Sequence, residues 1–231
     1  MKRNIAILLS GGTGSRVGGE IPKQYIPVNG KMIIEYSLDA LICHKDIDGI
    51  LIVAHDNYRD RIDKAYHGND SFALKFMGYV MPGENRQLSI WNALECIGAD
   101  DEVNVFIHDA ARPVLTETMI TDYIDAIEGH DGVLPVLPMK DSIYISRDGS
   151  SISGIADRQQ LYSGQAPEVF VCGKYYNAVK RLLPKEILHI TGSAAPAVMA
   201  GMDIAMVKGE QRNIKITTAE DLEEFRMEQE L

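Results

Sequence analysis

At 231 residues, with 45% hydrophobic and 24% charged side chains, the chain has an ordinary globular composition and the length to bury a sizeable core. Disordered and fibrous classes are excluded, and no apolar run approaches the ~18 residues that a membrane-spanning helix needs. A formal charge of −10 argues against a general nucleic-acid binder, although a few local cations still suffice to hold one triphosphate.

The chain opens with Met1-Lys-Arg-Asn and the apolar run Ile5–Leu9. The run is too short for a secretory leader and meets glycines instead of a small-residue cleavage site, so it is read as the first buried strand of a cytoplasmic protein. Further apolar runs at Gly49–Ala54, Lys75–Val80, Val103–Ile107 and Gly132–Val136 alternate with helical patterns at Met32–Cys43, Asn57–His67, Arg86–Gly98 and Thr116–Glu128. That alternation predicts βαβ units in a parallel sheet with helices on both faces. From Asp141 to Arg158 the period drops to two around Asp148-Gly149, a hairpin signal. An isolated ribbon is marginal, so this arm is expected to pack on a second copy of the chain. Helices near Gly173–Leu183 and Ala194–Ala200, a strand at Ile204–Val207 and a helix from Ala219 complete one domain spanning 1–231. Cys43, Cys96 and Cys172 lack metal-ligand spacing and are expected to be buried free thiols.

Three segments at strand ends carry chemistry. The first is Ser10-Gly11-Gly12-Thr13-Gly14-Ser15-Arg16, followed by Pro22-Lys23-Gln24. Glycines after a strand let backbone amides approach a phosphate, and Arg16 and Lys23 suit a leaving pyrophosphate that accumulates charge. The loop fails the dinucleotide fingerprint, because its third glycine falls on Val17, and it fails the P-loop pattern as well. The second segment is Gly83-Glu84-Asn85-Arg86, whose plainest reading is a polar helix start with Arg86 solvated. The third is His108-Asp109-Ala110-Ala111-Arg112-Pro113. Its carboxylate could meet a metal ion or a ribose, and its arginine could fork onto a phosphate or simply pair with Asp109. His108 is read as a structural hydrogen-bonding residue, since an attacking phosphate is already an anion and needs no base.

These segments resemble the signature loops of sugar-phosphate nucleotidyltransferases. Pro22-Lys23-Gln24-Tyr25 looks like the cytidylyltransferases that act on 2-C-methyl-D-erythritol 4-phosphate, with the ribitol 5-phosphate cytidylyltransferases as close relatives. The likeness continues through Gly83–Ser89, His108–Pro113, Lys140-Asp141-Ser142, Gly164-Gln165-Ala166-Pro167 and Asn213–Thr218, covering essentially the whole chain in order. It implies a Rossmann-like, mostly parallel α/β fold of the nucleotidyltransferase type. It also implies transfer of CMP from CTP to a polyol phosphate, with Mg²⁺ and a homodimer formed through the arm. Arg16, Lys23 and Lys215 would be catalytic. Ser10, Gly11, Gly12, Thr13, Gly14, Gly83, Glu84, Ser89, Asp109 and Ala110 would hold CTP, and Asp109 would also touch the metal. Arg112, Ser142, Thr191 and Arg158 would meet the acceptor, Arg158 by reaching into a neighbouring subunit's site.

The chain departs from the family pattern mainly on the acceptor side. Ala166-Pro167-Glu168 replaces Thr-Pro-Gln, Thr191-Gly192 replaces Thr-Asp, and Ser142 stands for a threonine. On the nucleotide side, Ser10-Gly11-Gly12 replaces Ala-Ala-Gly. The seven-residue step from Arg16 to Lys23 favours methylerythritol phosphate and isoprenoid precursor synthesis. The stretch Ala156–Gln165 resembles the ribitol phosphate enzymes, which make CDP-ribitol for cell-surface polymers. A catalytically silent nucleotide-binding relative and a dinucleotide-dependent dehydrogenase are the remaining alternatives.

Overall fold

The computed structural model describes residues 2–12 and 21–229. Thr13, Gly14 and Arg16 therefore lie outside the described residues. After β1 (Arg3–Leu9) come a 3₁₀ turn at Lys23–Tyr25 and a small hairpin of β2 (Pro27–Val28) and β3 (Lys31–Met32). The alternating region then gives α1 (Ile33–Cys43), β4 (Gly49–Val53), α2 (Asp56–Ala65), α3 (Asp70–Lys75), β5 (Phe76–Val80), α4 (Arg86–Ile97), β6 (Val103–Asp109), α5 (Glu117–Asp125) and β7 (Gly132–Pro138). The arm is β8 (Ile143–Ile145) and β9 (Gly154–Ala156). It is followed by β10 (Tyr162–Gly164), β11 (Glu168–Val171), α6 (Cys172–Lys180), α7 (Ala194–Met199), β12 (Ile204–Lys208) and α8 (Ala219–Gln229). Among the described residues, no helix is long and apolar enough to cross a membrane.

The central sheet has eight strands. Strands β6, β1, β4 and β5 run parallel in that order, and β12 joins β7 in parallel. Strand β11 runs antiparallel between β6 and β7, and the register places β10 on the same edge of β7. The expected sheet is thus mostly, not wholly, parallel. The short run Glu168-Val-Phe-Val after Ala166-Pro167 forms β11, a strand whose four residues carry too little period to be legible in the sequence.

Strands β1, β4, β6 and β7 are buried on both faces along most of their length, which is why they read as unbroken apolar runs, whereas β5 and β12 are partly exposed. Successive residues of β1 alternate between two cores. Ala6 and Leu8 pack with Leu38 and Leu41 of α1, Ile62 of α2, Phe72 of α3 and Ile120 of α5. Ile5 and Ile7 pack with Ile90 and Leu94 of α4, Tyr175 of α6 and Ala197 of α7. Helices therefore cover both faces. Of the cysteines expected to be buried, only Cys172 is; Cys43 and Cys96 are exposed, because each lies toward the solvent side near its helix end.

The arm forms where the period-two pattern placed it. Ile143 pairs with Ala156 and Ile145 with Gly154, apart from the main sheet. Its turn is organised by Asp148, whose carboxylate accepts the backbone N–H groups of Ser150 and Ser151, with Gly149 at φ 74°. Tyr144, Ile145, Ile152 and Ile155 are all exposed on this single chain.

Candidate active site

Parallel pairing brings Leu9 level with Asp109, so β1 and β6 release their loops at one edge, where ligands bind in open α/β sheets. A cleft of about 530 Å³ opens there. It is lined by Gly11, Gly12, Lys23 and Gln24 after β1, and by Gly83, Glu84, Asn85, Arg86 and Ser89 at the start of α4. Asp109, Lys215 and His55 complete its polar wall.

The loop after β1 is held from behind. Gln24 is buried and its amide donates to the carbonyls of Ser10, at 2.5 Å, and Gly12, at 2.8 Å. The Ser10 hydroxyl donates inward to the Val53 carbonyl at 2.8 Å and meets Tyr25 Oη at 3.0 Å. Ser10, expected to read the nucleotide, therefore spends its side chain on the scaffold, and its backbone as well: its N–H donates to the Val53 carbonyl at 2.9 Å and its own carbonyl accepts from Gln24. Gly11 lies where any Cβ would strike the Pro82 ring, so only glycine lets these two loops meet.

The segment after β5 is built as a helix cap. Asn85 Oδ1 accepts the Leu88 N–H at 2.8 Å, while the Ser89 hydroxyl donates to Asn85 O and accepts the Gly83 N–H at 3.1 Å. A Cβ on Gly83 would collide with Leu88 and the Ser89 backbone. Ser89 thus shapes this wall, and the positive end of α4 faces the cleft.

Arg86 is the main surprise. It is not solvated: Nε donates to Asp109 Oδ1 at 2.9 Å, and Nη2 stands 3.7 Å from Glu168. Lys215 takes the other oxygen of Asp109 at 2.7 Å. Burial alone would raise the Asp109 pKa, but Arg86 and then Lys215 hold it well below the usual carboxylate range. Asp109 is accordingly ionised, and the simple Asp109–Arg112 pair is replaced by this triad. A cation in a helix's first turn opposes the macrodipole, and that unfavourable placement was the available signal that Arg86 had an anionic partner.

Lys215 is delivered by a latch that the motifs did not reveal. Gln165 interrupts the strand between β10 and β11, and its side chain grips the Glu210 backbone at both carbonyl and N–H, each at 3.0 Å. Asn213 Nδ2 donates to Ala166 O at 2.7 Å, and Arg112 Nη1 donates to Asn213 O at 2.6 Å. Ile216 N–H then pairs with Ala111 O at 2.9 Å. Arg112 is thereby occupied in part by scaffold, and Ala110 is fully buried behind the cleft wall that Ala111 lines.

His108 is structural. It is fully buried, and burial lowers its pKa to about 4, which leaves it neutral near pH 7. Nε2 lies 3.0 Å from the Arg112 carbonyl, which can only accept, so the hydrogen sits on Nε2. Ser142, Thr191 and Arg158 do not line the cleft of the single chain: all three are exposed, with Arg158 donating to Lys140 O at 2.8 Å.

The family model described as 2-C-methyl-D-erythritol 4-phosphate cytidylyltransferase covers residues 4–229. The chain belongs to this family. The cytidylyltransferase of Rubrobacter xylanophilus bearing that name is 34% identical, over 96% of this chain and 93% of its own length. A ribitol-5-phosphate cytidylyltransferase of Streptococcus pneumoniae serotype 2 is 32% identical, over 93% of this chain and 94% of its own. A bifunctional IspD/IspF enzyme of Paramagnetospirillum magneticum is also 32% identical, but the chain spans only 56% of that protein. Among solved structures, the 4-diphosphocytidyl-2C-methyl-D-erythritol synthase of Anaerococcus prevotii superposes with a TM-score of 0.84 at 25% identity, covering 100% of this chain and 99% of that one. Membership in the cytidylyltransferase family sets the dehydrogenase reading aside.

Proposed function

We propose that the chain transfers CMP from CTP to 2-C-methyl-D-erythritol 4-phosphate, releasing pyrophosphate. The observation that carries the reading is the convergence of Lys23, Arg86 and Lys215 on a cleft walled by glycine loops and the start of α4. Two phosphates that must meet repel strongly, so several fixed cations are the first requirement of the site.

In this reading the acceptor's phosphate oxygen attacks the α-phosphorus of CTP in line, and the bond to the β-phosphate oxygen breaks as pyrophosphate leaves. Gly11, Gly12 and Gly83 present backbone to the nucleotide. Lys23, together with Arg16, neutralises the triphosphate. Lys215, tethered to Asp109, stands where the two phosphates join. Asp109 is the residue that would hold Mg²⁺: it is ionised, lines the cleft and is a hard oxygen donor, and Mg²⁺ commonly takes one or two carboxylates plus substrate phosphates. The ion when bound would supply charge neutralisation to the phosphate oxygens. Among the described residues, no group of three or more acidic, histidine or cysteine side chains competes for that role.

The acceptor side is proposed to need a second copy of the chain. Arg158, Ser142 and Thr191 are exposed, and the arm between Ser142 and Arg158 carries the apolar side chains of Tyr144 and Ile155 into solvent. A homodimer through the arm would cover those side chains and bring Arg158 to the neighbour's cleft. We further propose that the enzyme works in the cytoplasm. D-ribitol 5-phosphate is the second reading, because the ribitol and methylerythritol relatives are almost equally similar at 32% and 34% identity.

The test is pyrophosphate release from CTP and Mg²⁺ with a panel of polyol phosphates. Turnover highest with methylerythritol phosphate supports the first reading, and turnover highest with ribitol phosphate replaces it by the second. No release with any acceptor, despite CTP binding, would mark a silent relative.

A further inference from the structure

Arg86 is where four pieces of chain meet. It opens α4, and its guanidinium divides among three partners: Asp109 at the end of β6, Glu168 at the start of β11, and the Ser193 hydroxyl just before α7, to which Nη1 donates. Glu168 does not line the cleft. It is 7% exposed, and its Oε2 has no hydrogen-bond partner among the described residues. Burial pushes its carboxyl pKa up, against the pull of Arg86 and the Ser193 hydroxyl. A buried carboxylate with incomplete hydrogen bonding is costly, and its place behind the guanidinium suggests what offsets that cost. With Asp109 alone, Arg86 could pivot about Nε and swing its free edge toward a phosphate in the cleft. Glu168 draws Nη2 away from the cleft, which leaves Nη1 aimed at Ser193.

We propose that Glu168 is a positioning residue: it locks Arg86 as the tie between the nucleotide wall, Gly83–Ser89, and the segment Thr191–Ser193 on the acceptor side. The proposal rests on the cytidylyltransferase reading for what the two sides bind. Ser193 is anchored independently, its carbonyl accepting from Tyr175 Oη at 2.8 Å, so the tie acts on a segment already held by α6. The charge of Glu168 therefore sets how firmly the acceptor segment is held against the nucleotide wall.

Glu168→Gln keeps size and removes the charge. The expected result is a rise in acceptor KM of about five- to tenfold, with CTP KM within about twofold, the scale of one charge-assisted contact. Ser193→Ala cuts the same tie from the other end and should reproduce that split. In an Arg86→Lys background, Glu168→Gln should add nothing further, because the fork it steadies is gone. Equal rises in both KM values, or full additivity with Arg86→Lys, would overturn the proposal. If the wild-type protein releases no pyrophosphate with any polyol phosphate, the functional reading has failed, and the pair is judged by the same cycle read in urea midpoints. Coupling between the two positions then supports the tie, and additivity refutes it.

Discussion

Lys215 Nζ stands 2.7 Å from Oδ2 of Asp109, a contact that spans 106 residues of sequence and sets one cation of the cleft. Removing that amine leaves Asp109 to Arg86 alone and takes away the charge proposed to sit between the joining phosphates. Lys215→Ala should therefore lower kcat by roughly 10²-fold or more while CTP binding weakens modestly, and Lys215→Arg should restore part of the rate. Steady-state pyrophosphate release checks this. An alanine variant with wild-type kcat would remove Lys215 from the mechanism.

The Gln165 latch is expected to matter as much as the lysine it positions. Gln165→Leu leaves the Glu210 N–H without its acceptor and its carbonyl with the Asn213 N–H alone, a loss of about 1–3 kcal/mol. The urea midpoint should fall accordingly, and kcat should drop although no substrate-contacting group has changed. Faster hydrogen exchange at the Glu210 amide would locate the effect.

Two glycines of the cleft should behave differently when given a methyl group. A Cβ on Gly83 meets Leu88 and the Ser89 backbone, whereas one on Gly12 meets nothing within 4 Å among the described residues. Gly83→Ala should lower Tm by several degrees and raise CTP KM. Gly12→Ala should leave Tm unchanged. Paired thermal melts decide the matter, and equal Tm losses would contradict the packing argument.

Acid should destabilise the fold through His108. Its pKa is depressed from an ordinary 6.5 to about 4, so below pH 6.5 the unfolded chain takes up a proton that the folded chain refuses. The stability this group contributes is present above pH 6.5 and is lost as pH falls toward 4, a change of at most roughly 3 kcal/mol. In His108→Asn that part of the slope should vanish, which urea midpoints measured from pH 7 to 4.5 will reveal. Identical slopes in both proteins would count against it.

The arm predicts the assembly. Ile155 is 67% exposed on the single chain, and a lysine there should tolerate solvent but not a partner's apolar surface. Sedimentation should show the wild type as a dimer and Ile155→Lys shifted toward monomer, with acceptor KM raised because Arg158 is withdrawn. A wild type that sediments as a monomer at working concentration would end this reading.

Much of this protein was legible in one dimension. Strands buried on both faces write themselves as apolar runs, so β1, β4, β6 and β7 were readable, as were α1, α2, α4 and α5 between them; the short α3 was not. The Asp148-Gly149 turn announced the arm, and ordered motifs along the whole chain pointed to the family. These signals are local: each depends on side-chain period or turn chemistry within a few residues. Contacts across the fold were not readable in the same way. Nothing near Arg86 names Asp109 or Glu168 as its partners, and nothing near Gln165 says that it holds Glu210. Ser10 matched a binding motif, yet the packing of Tyr25 and Val53 turned its hydroxyl inward. Sequence determined which elements form and which chemistry is carried. Only the tertiary structure decided which charges neutralise one another, because a charge's partner is chosen by proximity in space and burial, neither of which sequence separation records.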